Sequence, residues 1–121
     1  DVARAALELR RRQARAALLE DADPSGDQVA EIDAAYEEMN GSLEVLAGSL
    51  GELVQAGREP TRREAMVFAA DALDAMLIAE ERVLGSLDEE QRAALDEDPA
   101  NPFNHVDPAI IDALQNLGAA P

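Results

Sequence analysis

The sequence predicts an all-α protein: a long antiparallel helical hairpin with a flanking N-terminal helix and short C-terminal helices, paired as a dimer. Three observations lead there. The chain of 121 residues carries one Tyr, two Phe and neither Trp nor Cys, so its core must come from Ala, Leu, Val, Ile and Met. Strands favour β-branched and aromatic side chains, whereas Ala, Leu and Met favour helices. Val29, Ile32, Tyr36, Met39, Leu43, Leu46, Leu50 and Leu53 are spaced 3-4-3-4-3-4-3, an apolar heptad seam. Finally, Gly57-Arg58-Glu59-Pro60-Thr61 is so short a link that the helices on either side must lie antiparallel.

The first helix is expected over residues 2–20, with Val2, Ala5, Ala6, Leu9, Ala16 and Leu19 near one face. That stripe is thin, and the helix needs a partner surface. Asp21-Ala22-Asp23-Pro24-Ser25-Gly26-Asp27 interrupts it. The seam helix then runs from Gly26 to about Ala56. Gly41, Gly48 and Gly51 lie off the seam and weaken that helix, while leaving room for close approach or bending. Gly57 suits a helix C-cap, Pro60 cannot continue a helix, and Thr61-Arg62-Arg63-Glu64 reads as a capping box. A third helix over Arg62–Ser86 keeps the heptad rhythm through Met66, Ala70, Leu73, Leu77, Leu84 and Leu87, with Glu80 at one seam position. A short helix follows at Glu89–Leu95. The segment 96–105 shows little periodicity, and Asp107-Pro108 opens a last helix over Ala109–Leu117 with Ile110, Ile111, Leu114 and Leu117 as its apolar residues. Two units follow: residues 1–98 as the hairpin with its N-terminal helix, and 99–121 as a C-terminal tail with one short helix.

Charge narrows the range of functions. The formal net charge is −16, and every basic side chain is Arg. Such acidity opposes binding to nucleic acid or to an anionic membrane. Residues 1–20 run against this trend at net +2, so they are expected to dock on the acidic remainder of their own chain or of a partner. The absence of Cys excludes disulfides, thiolate metal sites and cysteine catalysis. No apolar run is long enough to span a membrane. The chain begins at Asp1 inside a helical pattern, which is expected of a form that has lost an upstream segment.

Two caps share one grammar. In Leu87-Asp88-Glu89-Glu90-Gln91, Asp88 can accept from the N–H of Gln91 while Gln91 reaches back to the N–H of Asp88, with Leu87 stapling onto the next turn. Pro24-Ser25-Gly26-Asp27-Gln28 repeats the arrangement with Ser25 and Gln28. One cap stands at the entrance of the hairpin and the other at its exit. This pairing resembles the Spy/CpxP family of bacterial periplasmic proteins, which carry two Leu-Thr-x-x-Gln motifs at those places. Asp88 stands where Thr is usual, and the first copy departs further, with Ser25 for Thr and Pro24 for Leu. The likeness covers roughly residues 5–95. It implies bent hairpins that pair antiparallel into a cradle, a periplasmic or other extracytoplasmic location, and ATP-independent chaperone activity or envelope- or metal-stress regulation. The cradle of chaperone members is basic, unlike this acidic chain. Arg10, Arg11, Arg12, Arg15, Arg58, Arg62 and Arg63 are the candidates for a local basic surface facing a client or a second subunit.

For chemistry the candidates are few. His105 is the only His; a metal there would need Asp98 or Asp107 beside it, and a loop histidine needs no ligand. Glu80 should lie level with Glu37 and Glu38, where clustered carboxylates could hold a hard divalent cation, or where Glu80 could pair with Arg82 or sit at the seam's edge in water. Met39, Met66 and Met76 fit core filler better than a soft-metal site. No nucleophile–base pair, phosphate loop or HExxH is present, and no cofactor is expected beyond such a cation, so a non-enzyme is expected. The leading expectation is an extracytoplasmic stress-response binding protein, chaperone-like or a metal-stress accessory, working through the concave face of a hairpin homodimer. The alternatives are a structural coiled-coil module for oligomerisation or partner docking, and a divalent-metal sensor.

Overall fold

The structure, a computed structural model, describes residues 2–119, with side chains described for 2–117. Among these residues there is no strand, and six α-helices follow one another: α1 (Val2–Ala22), α2 (Gly26–Gln55), α3 (Arg62–Ser86), α4 (Glu89–Ala94), α5 (Glu97–Ala100) and α6 (Pro108–Ala119), with a single 3-10 turn at Pro102–His105 between the last two. At 1.5 Å per residue, α2 and α3 are about 45 and 37 Å long. The two pack along each other; α6 lies on α2, α5 and the 3-10 turn on α3, and α1 on α4, α5, the 3-10 turn and α6. No helix here is long and apolar enough to cross a membrane.

The hairpin turn is built as its residues require. Gly57 takes φ 75°, in the left-handed region that glycine enters without penalty. Its N–H bonds Val54 O at 3.0 Å, and the N–H of Arg58 bonds Leu53 O at 2.9 Å, the paired bonds of a Schellman stop. Thr61 then starts α3: Thr61 Oγ1 accepts from the N–H of Glu64 at 3.1 Å, and a Glu64 carboxylate oxygen accepts from the N–H of Thr61 at 3.1 Å. The backbone N–H of Thr61 first, then its side chain and the Arg58 charge, hold the Glu64 carboxyl below its usual range.

The α2 seam is buried as its spacing implies. Ile32, Tyr36, Met39 and Leu43 are buried, while Val29, Leu46, Leu50 and Leu53 are half-buried. The row that meets it from α3 differs from the expected one. Ala72, Ala75, Met76, Ala79, Val83 and Leu87 belong to the core or pack against it, and Ala79 and Val83 are sealed from solvent. Met66, Leu73 and Leu77 were expected in the seam, but are 60, 50 and 55 % exposed. The helix carries two apolar rows, and the one rich in alanine faces α2 because small side chains let the backbones approach closely. Met66 is therefore not core filler, whereas Met39 is buried.

The face of α1 is also shifted. Ala14, Leu18 and Ala22 are its buried residues, and Leu18 is completely inaccessible. Val2 and Leu9 are 88 and 50 % exposed, and Ala5, Ala6 and Ala16 are exposed as well. Exposed ion pairs add to the burial of Ala14, Leu18 and Ala22. Arg15 binds Asp33 on α2 with two hydrogen bonds of 3.0 and 2.9 Å, Arg11 lies 3.9 Å from Asp107, and Arg4 lies 3.3 Å from Asp112 on α6. The basic N-terminal segment thus docks on the acidic remainder of its own chain. Asp23, at φ 47°, occupies the left-handed conformation just after α1, where a short polar side chain is tolerated.

The segment after residue 98 contributes to the core. Pro99, Ala100, Pro102, His105, Pro108 and Ile110 are buried, with Ala100 and Ile110 in the same core cluster as Leu18 and Val83. Residues 96–105, expected to be irregular, form α5 and the 3-10 turn, the latter begun by the Asn101 side chain accepting from the N–H of Phe103 at 3.0 Å. Asp107 caps α6 by accepting from the N–H of Ala109 at 2.9 Å. Of the three off-seam glycines of α2, only Gly51 has a neighbour where a Cβ would point, Leu117 at 3.8 Å; Gly41 and Gly48 face open space.

Candidate functional site

The two caps meet. Ser25 Oγ accepts from the N–H of Gln28 at 3.2 Å, and Asp88 accepts from the N–H of Gln91 at 2.8 Å. The reciprocal arms are present too, with Gln28 Oε1 accepting from the N–H of Ser25 at 2.8 Å and Gln91 Oε1 from that of Asp88 at 3.0 Å. Each glutamine then has its amide nitrogen left over. Gln28 Nε2 donates to Gln91 Oε1 at 2.8 Å, and Gln91 Nε2 donates to Gln28 Oε1 at 2.9 Å. Gln28 Nε2 also donates to Ser86 O at 2.9 Å, satisfying a carbonyl at the end of α3. Leu87 is buried between the caps at 3 % exposure, and Arg92 donates to Leu84 O at 2.9 Å and to Leu87 O. The sequence shows two similar caps; it gives no sign that their glutamines bond each other.

A second polar cluster lies where the 3-10 turn crosses α2. The imidazole of His105 stacks on the ring of Tyr36, centroids 3.8 Å apart and planes within 5°. His105 Nε2 donates to Pro99 O at 2.6 Å, which fixes the proton on that nitrogen. Buried Asn40 clasps the segment from both sides: its Nδ2 donates to His105 O at 3.0 Å, and its Oδ1 accepts from the N–H of Asp107 at 2.8 Å. Burial lowers the His105 pKa, and the Arg11 charge lowers it further, against the opposing effects of the Pro99 bond and Asp33. Burial also raises the Tyr36 pKa, helped by the negative charge of Glu80. Both rings are held in place by these contacts.

The proposed cation cluster is not assembled. Among the described residues no three His, Asp or Glu side chains converge to hold a metal ion. Glu38 and Glu31 are both occupied by Arg82, Glu31 at 2.8 Å, so Arg82 pairs there and not with Glu80. Glu37 is exposed, Glu80 half-buried near Tyr36, and His105 is committed to Pro99. These side chains therefore do not converge on a common point.

The basic candidates divide in the same way. Arg11 and Arg15 line an open groove of about 720 Å³ between α1 and α2, but Arg15 is paired with Asp33 and Arg11 faces Asp107. The bond to Asp33 raises the Arg15 pKa. Arg58 pairs with Glu64 at 3.2 Å. Arg10, Arg12, Arg62 and Arg63 make no salt bridge among the described residues; Arg62 and Arg63 stand at the head of α3 beside Met66, Val67 and Ala70. Beyond them the apolar row Met66, Ala70, Leu73 and Leu77 runs along the outer face of α3. This row sets four apolar side chains side by side in solvent on one helix.

The chain matches no protein-family model, no curated protein and no solved structure, so these comparisons do not identify it with the Spy/CpxP family.

Proposed function

We propose that this chain is a non-catalytic helical docking module that works by presenting the outer face of α3 to another protein. The single observation behind this reading is the exposed row Met66, Ala70, Leu73 and Leu77, four apolar residues at heptad spacing on a helix whose other apolar row is already buried. Isolated exposed apolar residues are ordinary, but a periodic row of them is the pattern by which one helix recognises another. The rest of the molecule gives this helix a rigid backing through the two capping boxes, the alanine seam and the Asn40 clasp.

A paramagnetic label on Ala70→Cys tests this directly, since the chain has no other thiol. Its mobility is followed while either unlabelled chain or a permanently unfolded model protein is added. Immobilisation in at least one arm is expected, while the same label on Val45→Cys of α2 stays mobile. A label at Ala70→Cys that remains mobile in both arms rules the reading out.

The joined caps favour a second reading: an extracytoplasmic, Spy/CpxP-like stress-response protein of chaperone-like or metal-stress accessory type. Its support is the reciprocal Gln28–Gln91 bond between two motifs that the resemblance had matched one by one. Suppression of aggregation of a model client at stoichiometric ratios is the measurement, and a client that aggregates unimpeded removes this reading. The divalent-metal sensor is not carried forward, because Glu37, Glu38, Glu80 and His105 do not converge.

A further inference from the structure

We propose that the outer face of α3 is covered by the same face of a second copy of this chain, the two helices running antiparallel about a two-fold axis level with the midpoint between Asp71 and Ala72. This rests on the docking reading above and names the occupant. The argument is one of charge and register. Arg62 and Arg63 stand at the N-terminal end of the apolar row, and Glu80 and Glu81 at its C-terminal end. At about 100° per residue, Arg62 and Glu80 fall along one edge of the row, and Arg63 and Glu81 along the other.

A two-fold axis perpendicular to antiparallel helices brings each edge beside the same edge of the other copy. Met66 then meets Leu77 of the second copy, and Ala70 meets Leu73, the alternation that an antiparallel heptad interface uses. The same superposition sets Arg62 opposite Glu80 of the second copy and Arg63 opposite Glu81. One register therefore satisfies the apolar row and both charged edges together. A parallel pairing would put Arg against Arg at one end and Glu against Glu at the other, which is destabilising. Arg62, Arg63, Glu80 and Glu81 have no salt bridge within the described chain, so they are not spoken for.

The test is sedimentation of the full chain in 0.15 M salt, where long-range repulsion between two copies of net charge −16 is screened. The native chain is expected to dimerise. The variant R62E/R63E faces Glu with Glu at both ends, and E80R/E81R faces Arg with Arg, so each alone should associate about tenfold more weakly or not at all. An equimolar mixture of the two makes every facing pair opposite in sign and should recover a heterodimer. A native chain that stays monomeric, variants that dimerise like the native chain, or a mixture that does not recover would each overturn the proposal.

Circular dichroism confirms that the variants remain helical, and crosslinking gives a readout that leaves the charges alone. With a short bismaleimide, Met66→Cys mixed with Leu77→Cys should link, while Met66→Cys alone should not, because in this register the two Met66 positions lie about 16 Å apart along the axis. A parallel pair would link Met66→Cys to itself. If added chain leaves the Ala70→Cys label mobile while unfolded protein immobilises it, the docking reading survives and self-pairing does not.

Discussion

Gln28 and Gln91, 63 positions apart, hold each other by two amide hydrogen bonds of 2.8 and 2.9 Å while each closes the capping box of its own helix. The pair ties the start of α2 to the start of α4, the open end of the hairpin. Each net hydrogen bond contributes about 0.5–1.5 kcal/mol, and networks are worth more than single deletions indicate. Q28A and Q91A should each cost about 1–3 kcal/mol. In a urea double-mutant cycle the two should couple by about 0.5–3 kcal/mol. Additive losses would mean that the caps act separately.

The Asn40 clasp is buried and bonded on both sides, so its removal strands the carbonyl of His105 and the N–H of Asp107. Asn40→Ala should cost about 2–4 kcal/mol, since buried groups left unpaired lose about 1–3 kcal/mol each. Hydrogen exchange at the Asp107 amide should accelerate ahead of exchange in the middle of α3.

His105 makes stability depend on pH in a defined direction. Its folded pKa lies below the usual value, because burial disfavours the imidazolium. The unfolded chain therefore takes up the proton first as pH falls. Stability is fully present above the unfolded pKa of about 6.5 and is lost as pH drops from there through the folded value. Denaturation midpoints should fall between pH 7.5 and 5.5, a window above ordinary carboxylate titration. His105→Gln should flatten that change while lowering stability at pH 7.5.

The face of α1 can be checked by a matched pair of truncations. Leu18→Ala should cost about 2–5 kcal/mol, the range for fully buried leucines, because Leu18 is inaccessible. Leu9→Ala should change stability by no more than about 0.5 kcal/mol, because Leu9 is half exposed. Equal losses would return the buried stripe to the face expected from spacing alone.

Gly41 and Gly48 occupy helix interior with open space where a side chain would go. Gly41→Ala and Gly48→Ala should each raise stability by about 0.5–1 kcal/mol, read from the urea midpoint. A loss at either would show that α2 needs its backbone freedom there.

What the sequence made legible was local chemistry. The caps at Ser25, Thr61 and Asp88, the stop at Gly57 and the α2 seam are each encoded within a few residues, and all are present. The facing of α3 was not legible by the same logic. Leu and Met dominate any count of apolar spacing, yet Ala72, Ala75 and Ala79 share the side that meets the core with Met76, Val83, Leu84 and Leu87, while Met66, Leu73 and Leu77 do not. For α1 the partners are long-range: Leu18 enters a core built by distant elements, Arg4, Arg11 and Arg15 meet Asp112, Asp107 and Asp33, and no spacing within α1 reveals where those partners stand. The end of the 96–105 segment is likewise held from a distance, by Asn40 bonding His105, 65 positions away. Glu38, one of the carboxylates expected beside Glu80, is instead paired with Arg82 together with Glu31, a partnership that no local spacing announces.

The alanine seam also makes mutational drift asymmetric. At positions 72, 75 and 79 a larger residue must prise two long rods apart, and a smaller one can only be glycine, which weakens the helix that carries it. Sequences diverging from this one can exchange the bulky outer row of α3 freely, at the expense of whatever it greets, while the methyl ladder stays nearly still. Descendants should therefore change company sooner than they change shape.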